Sequence, residues 1–184
     1  MAIQRLTIDG YGQIELNNCA FRRDGRIEAQ CKPDETDFAN AVIENGMLLA
    51  VDNVARVVKF ATDGSLPVAL VYTTEHMYDE RKPGLKNFYT AGKDDFYPRL
   101  GYLAVGDKYT TNCIAYDTTE FADDDAFKAA LETLDTTPLY AGICADGAHL
   151  VSATAPTAGP KIRVIKKFTM PDGQLGLKMQ VYVD

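Results

Sequence analysis

Residues 96–117, FYPRLGYLAVGDKYTTNCIAYD, decide how the chain is read. Two runs without a charged residue, Leu100–Val105 and Tyr109–Tyr116, are separated by Gly106-Asp107 and Lys108. Gly takes φ > 0 without a Cβ clash and Asp bonds its own backbone, so the dipeptide marks a tight turn. Thr, Tyr and Ile in the second run suit a pleated, half-buried surface. Pro98 stands at the mouth of the first arm, where a missing N–H is tolerated. The stretch predicts a central β-hairpin, Leu100–Val105 against Lys108–Tyr116, that is scaffold and not a reaction centre.

The same signals recur on both sides. Downstream, Pro171-Asp172-Gly173 separates Ile162–Met170 from Leu175–Val183, and Asp146-Gly147 separates Leu139–Cys144 from His149–Ala153. Upstream, MLLAVDNVARVVKF (47–60) is too apolar and β-branched for a surface helix and divides into strands Met47–Val51 and Ala55–Phe60. Asp63-Gly64 is the next turn, and Val68–Thr73 the next strand. Strands at this spacing predict a mainly β fold, an antiparallel barrel or sandwich. One amphipathic helix interrupts it. Phe127, Ala130, Leu131 and Leu134 share one stripe, and Asp123, Asp124 and Asp125 supply its cap and first turn in preference to a metal site. A shorter helix, capped by Asp34 or Thr36, carries Phe38, Ala41 and Val42 and ends at Asn45-Gly46.

Residues 1–36 read as an N-terminal arm or hairpin and 37–184 as the β-rich domain, with its helix near 123–134. Gln13–Phe21 and Arg26–Cys31 are expected to pair about Asp24-Gly25. Arg22, Arg23 and Arg26 make this region either a solvated edge or an arm toward a neighbouring subunit. Residues 74–97 are polar and aromatic, with Tyr78, Phe88, Tyr89, Phe96 and Tyr97 among Lys, Asp, Gly and Pro. They form either a protein interface or a loop folded back on the domain.

Composition excludes several classes. A chain of 184 residues, 46% apolar and 24% charged, can bury a core and is not a disordered polymer. A net charge of −7 without a Lys/Arg block argues against nucleic acid and anionic membranes as partners. No apolar run is long enough to span a bilayer, and the N-terminus lacks the apolar middle of a signal peptide, so the expected compartment is the cytosol. Opposite charges are segregated: Asp117–Asp135 is acidic apart from Lys128, and Lys161–Lys178 is basic apart from Asp172. Such patches suit contacts between copies.

Chemistry-bearing motifs are missing. No phosphate-cradling glycine motif, nucleophile elbow or paired zinc-helix histidines occur. Cys19, Cys31, Cys113 and Cys144 lack the short spacing of a zinc site and read as buried thiols, with a Cys19–Cys31 bond as the second reading. His76, within EHMYDE (75–80), reads as a loop histidine before a metal ligand. His149 paired with Cys113 or Cys144 would be a thiol–imidazole couple, but no spacing places them together. The expected inventory is no catalytic residue, no cofactor and no metal.

Four phrases carry a resemblance: ENGMLLAVDNVARVVKF (44–60), LVYTTEHMYD (70–79), FYPRLGYLAVGDKYTTNCI (96–114) and FTMPDGQLGLKMQVYV (168–183). Together they resemble the small decoration, or cement, proteins of tailed-bacteriophage heads. The resemblance covers roughly residues 40–116 and 138–184 and leaves out the opening residues and the acidic helix. It implies a β-rich, non-enzymatic module that binds the outer face of an assembled capsid. Its partner would be the major capsid protein, with possible self-association on the lattice, after synthesis in the host cytoplasm. Another virion module (neck, tail or fibre), a soluble ligand-binding β-barrel and an enzyme with an unfamiliar site are the competing readings.

Scattered cysteines and two histidines predict folding without metal. A chelator should leave the melting temperature unchanged, because a metal bound only to the native state would have raised it by mass action. A clear fall on chelation would overturn this expectation.

Overall fold

Strand dominates the computed structural model, which describes residues 2–73 and 96–183. The opening residues supply β1 (Ile3–Arg5), β2 (Ile14–Asn18), the one-turn helix α1 (Ala20–Asp24), β3 (Ile27–Glu28) and β4 (Lys32–Pro33). Next come β5 (Leu48–Asp52), β6 (Val57–Phe60) and β7 (Val68–Val71). After residue 96 the chain forms β8 (Leu100–Gly101), β9 (Lys108–Thr111), β10 (Ile114–Asp117) and helix α2 (Asp124–Ala130), which tightens into a 3-10 turn over Leu131–Thr133. Four strands close it: β11 (Tyr140–Gly142), β12 (His149–Ser152), β13 (Ile162–Thr169) and β14 (Leu175–Val181).

These strands make an eight-stranded sheet, β1-β10-β12-β11-β13-β14-β9-β2, and a six-stranded sheet, β3-β8-β7-β5-β6-β4. Neither sheet closes into a barrel, so the fold is a β-sandwich. Pairing is mostly antiparallel, but each sheet is mixed: β10 runs parallel to β12, and β4 to β6. The expected terminal hairpin is present, with Thr169 opposite Leu175 and a bulge between Val164 and Lys166. The two strands expected in 47–60 are β5 and β6, and they pair antiparallel.

The expected central hairpin is not. Its turn is real, with Gly106 at φ 91° and the Asp107 carboxylate accepting from the Ala104 N–H at 2.9 Å. Its arms part into different sheets: β8 pairs with β7 and β3, whereas β9 pairs with β14 and β2. A turn signal constrains four residues and does not choose the strands' neighbours. The second arm is also broken at Asn112-Cys113, so that β9 and β10 lie second from opposite ends of the large sheet's order.

The opening residues form no hairpin either. β2 joins the large sheet and β3 the small one, and Asp24-Gly25 ends α1, with Gly25 as its left-handed C-cap at φ 69°. A left-handed glycine serves a helix terminus as well as a hairpin, so the dipeptide cannot distinguish them. Asp34 does cap, accepting from the Thr36 and Asp37 amides at 2.9 and 3.2 Å, but over a turn that goes no further than Asn40.

MLLAV lacks alternation because β5 is buried on both faces. Leu48 and its partner Leu70 enter a core with Tyr109, Ile114 and Met179. Leu49 and its partner Ala69 face a second core with Val51, Val58, Cys113 and Ala148. α2 covers β10, with the Phe127 ring stacked on Tyr116 at 4.9 Å and the Tyr116 hydroxyl donating to Asp124 at 2.7 Å. The acidic and basic stretches meet within the chain, through an ion pair of Lys167 on β13 with Glu132 beside α2.

Phe21 plugs the junction of α1 with β8. It is fully buried, and a Cβ on Gly101 would lie 2.4 Å from its ring. Gly101→Ala should therefore cost about 2 kcal/mol, within the range for overpacking. Gly106→Ala meets nothing within 4 Å and should cost only the left-handed strain, about 1 kcal/mol. Urea denaturation of both variants checks the order; equal costs would contradict the packing at Gly101.

Candidate functional site

Residues marked by chemistry in the sequence are committed to structure. The His149 amide and its ring Nδ1–H both donate to the Cys113 carbonyl, at 3.0 and 3.2 Å. Because that carbonyl can only accept, Nδ1 carries the proton and Nε2 accepts from the Tyr109 hydroxyl at 2.8 Å. His149 thus meets the backbone of Cys113 and not its sulfur. Burial pushes the Cys113 thiol up to about 12, with the Arg5 charge opposing. Such a thiol is a poor nucleophile. Cys19, Cys31 and Cys144 are also buried and free, and Cys19 and Cys31 belong to different cores. Asp123 accepts from the Ala126 amide at 2.8 Å, the N-cap bond expected of it. His76, Tyr78, Phe88 and Tyr89 lie outside the described residues; of that loop's aromatics, Tyr97 is 41% exposed with the Lys32 ammonium 5.5 Å from its ring centre.

A cleft of about 550 Å³ opens where the two sheets end. One wall carries Ile14 and Leu16 from β2, the last strand of the large sheet, and the other carries Ile27 from β3, the last strand of the small one. At its rim stand Arg22 of α1 and Arg99, both exposed, with no ion pair to either among the described residues. Thr73 and Tyr72 follow the end of β7, and the Arg99 amide donates to the Thr73 hydroxyl at 3.2 Å. Two buried side chains complete the lining. Tyr72 is 9% exposed and Asn45 6% exposed, and among the described residues neither the Tyr72 hydroxyl nor Asn45 Oδ1 has a hydrogen-bond partner. Burial raises the Tyr72 hydroxyl above the ordinary phenol range, and the Arg99 and Arg22 charges pull it partly back.

Why these residues converge follows from local structure. Asp107 accepts from the Ala20 amide at 2.7 Å, capping α1 from the far side of the chain, while Cys19 makes no side-chain cap. With Phe21 held on Gly101 and its ring 4.9 Å from Tyr72, Arg22 is directed to the rim. Asn45-Gly46, expected to end a helix, forms a turn with no helix before it, and Gly46 at φ 86° lies so close to Thr111 that a Cβ would collide with its hydroxyl. Arg22 was marked in the sequence as part of a basic arm; Asn45, Tyr72 and Arg99 carried no signal, because they come from segments far apart.

Burial lowers the His149 imidazole to about 4, against an unfolded value near 6.5. Between these values the unfolded chain binds the extra proton, so stability rises with pH. The contribution is fully present above about 6.5 and is lost as pH falls through 4, a loss of roughly 3 kcal/mol for such a shift. His149→Asn should flatten the stability difference between pH 7 and pH 4 by most of that amount, read by urea denaturation. An unchanged difference would show that His149 does not titrate with unfolding.

Comparison with protein-family models, with curated proteins and with solved structures finds no match to this chain.

Proposed function

We propose that this chain is a structural virion protein that decorates and stabilises a bacteriophage capsid, binding its outer surface across neighbouring subunits. The observation that carries a binding role is the cleft. Two terminal strands, β2 and β3, flank an arginine-rimmed recess whose buried Tyr72 hydroxyl and Asn45 Oδ1 lack partners among the described residues. Buried polar groups without partners cost roughly 1–3 kcal/mol each, a cost that a bound partner can relieve. The titratable core groups, His149 and Cys113 above all, are held in forms suited to packing, which favours binding over catalysis. The assignment to a phage head rests on the four phrases, which here supply β5, β6, the end of β7, β8, β9, the first residue of β10, and the turn and second strand of the hairpin of β13 and β14.

In this reading the major capsid protein is the partner and the virion exterior the location. Arg22, Arg23 and Arg26 form an exposed basic patch on and after α1, and arginines are frequent anchors in protein interfaces. Contact with two or three subunits would raise occupancy through effective concentration at the second contact.

Arg22→Ala with Arg26→Ala should lower occupancy on finished shells by about tenfold, as loss of anchor contacts typically does, without moving the melting temperature. Deleting residues 1–36 is a different experiment, because it removes β1 to β4 and buried Leu6, Phe21 and Cys31, and the remainder should not fold. Imaging of purified virions with and without the protein gives the readout. Density inside the tail, or equal binding to free subunits and shells, would overturn the proposal.

A further inference from the structure

We infer that the cleft takes an extended peptide segment bearing a carboxylate, seated beside β2 and β3 with its acid between Arg22 and Arg99. The inference rests on reading the chain as a protein-binding module, but not on the partner being a capsid. The argument is chemical. Arg22, Arg99 and the Tyr72 hydroxyl offer hydrogen-bond donors, while Asn45 Oδ1 requires one. A carboxylate accepts from the first group, and a neighbouring peptide N–H supplies the second. Inorganic phosphate or acetate answers only the donors.

The walls point to the same ligand. Ile14 and Leu16 sit two residues apart on β2, and Ile27 faces the cleft from β3. An extended chain presents alternate side chains at that period. Among the described residues, no strand pairs with the outer edges of β2 or β3, so a partner's backbone can add there. We place the carboxylate on another protein, because five of the seven acids in this chain's own acidic stretch make the bonds that follow, exposed Asp125 and Asp135 being the exceptions. Asp117 accepts from Thr119, Glu120 from Ser152 and Ala153, Asp123 from Ala126 and Asp124 from Tyr116, while Glu132 pairs with Lys167.

The test selects a displayed library of random octapeptides on the immobilised full-length chain and on its R22Q/R99Q variant. Both arginines are exposed, and the variant's melting temperature serves as the folding control. Wild type should enrich peptides with Asp or Glu flanked by alternating apolar residues, and the variant should not. For a selected peptide, Glu→Gln should weaken binding to wild type about tenfold and to the variant less than about twofold. Tyr72→Phe should raise the melting temperature, by removing an unpartnered hydroxyl, and at the same time weaken the peptide. A purely structural tyrosine would not do both. Absence of enrichment, enrichment indifferent to the arginines, or inorganic phosphate binding as tightly as the best peptide would overturn the inference. If the variant loses the peptide yet keeps full occupancy on shells, the cleft assignment stands and its use on the capsid fails. If occupancy falls while no peptide is ever enriched, the reverse holds.

Discussion

The Cys113 carbonyl is the point on which the fold turns. It accepts two hydrogen bonds from one residue, the His149 amide and the His149 ring. That double acceptance holds the break between β9 and β10, where a continuous strand would otherwise run. Thr111 and Asn112 reinforce the break: the Thr111 hydroxyl donates to the Gln13 carbonyl at 2.6 Å, and Asn112 accepts from the Gln13 amide at 2.6 Å. One stretch of ten residues therefore serves both ends of the eight-stranded order, with β14 and β2 on its first half and β12 and β1 on its second. The histidine must stay neutral to accept from Tyr109, and its burial keeps it so.

From that break the packing follows. Residues on alternate faces of β10 enter different cores, Ile114 and Tyr116 on one side and Cys113's neighbour Ala115 on the other. The small sheet does the same through Leu48 and Leu49. Strands buried on both faces tolerate no charge, which explains why the apolar runs 47–51 and 68–71 are continuous. The N-terminal segment is then fastened rather than free: the Arg5 guanidinium and the Gly12 amide both donate to Glu44 Oε2, at 2.8 and 2.6 Å.

Of four buried side-chain polar atoms without a partner among the described residues, the Tyr72 hydroxyl and Asn45 Oδ1 both line the cleft, while Asn112 Nδ2 and the Tyr182 hydroxyl do not. Many charges elsewhere are engaged in caps, turns and ion pairs inside the chain. At the ends of the two sheets, two arginines, a tyrosine hydroxyl and an asparagine carbonyl remain together without such partners among the described residues. Buried polar groups are mostly paired in folded proteins, and the two exceptions that lie together beside open strand edges are what the proposed binding site rests on.

By itself the sequence determined what short-range physics controls. A turn signal, Pro171-Asp172-Gly173, set the hairpin of β13 and β14. A 3.6-residue stripe with an aspartate before it set α2, and continuous apolar runs set the doubly buried strands. Tertiary structure alone decided which strands became neighbours. The Gly106-Asp107 turn is as compatible with a hairpin as with a crossing between sheets, and Asp24-Gly25 as compatible with a hairpin as with a helix terminus. Only the partners supplied by β14, β7 and β2 resolve them. The cleft was illegible for the same reason: Leu16, Arg22, Asn45, Tyr72 and Arg99 meet through long-range pairing, and no spacing along a chain records a contact made that way.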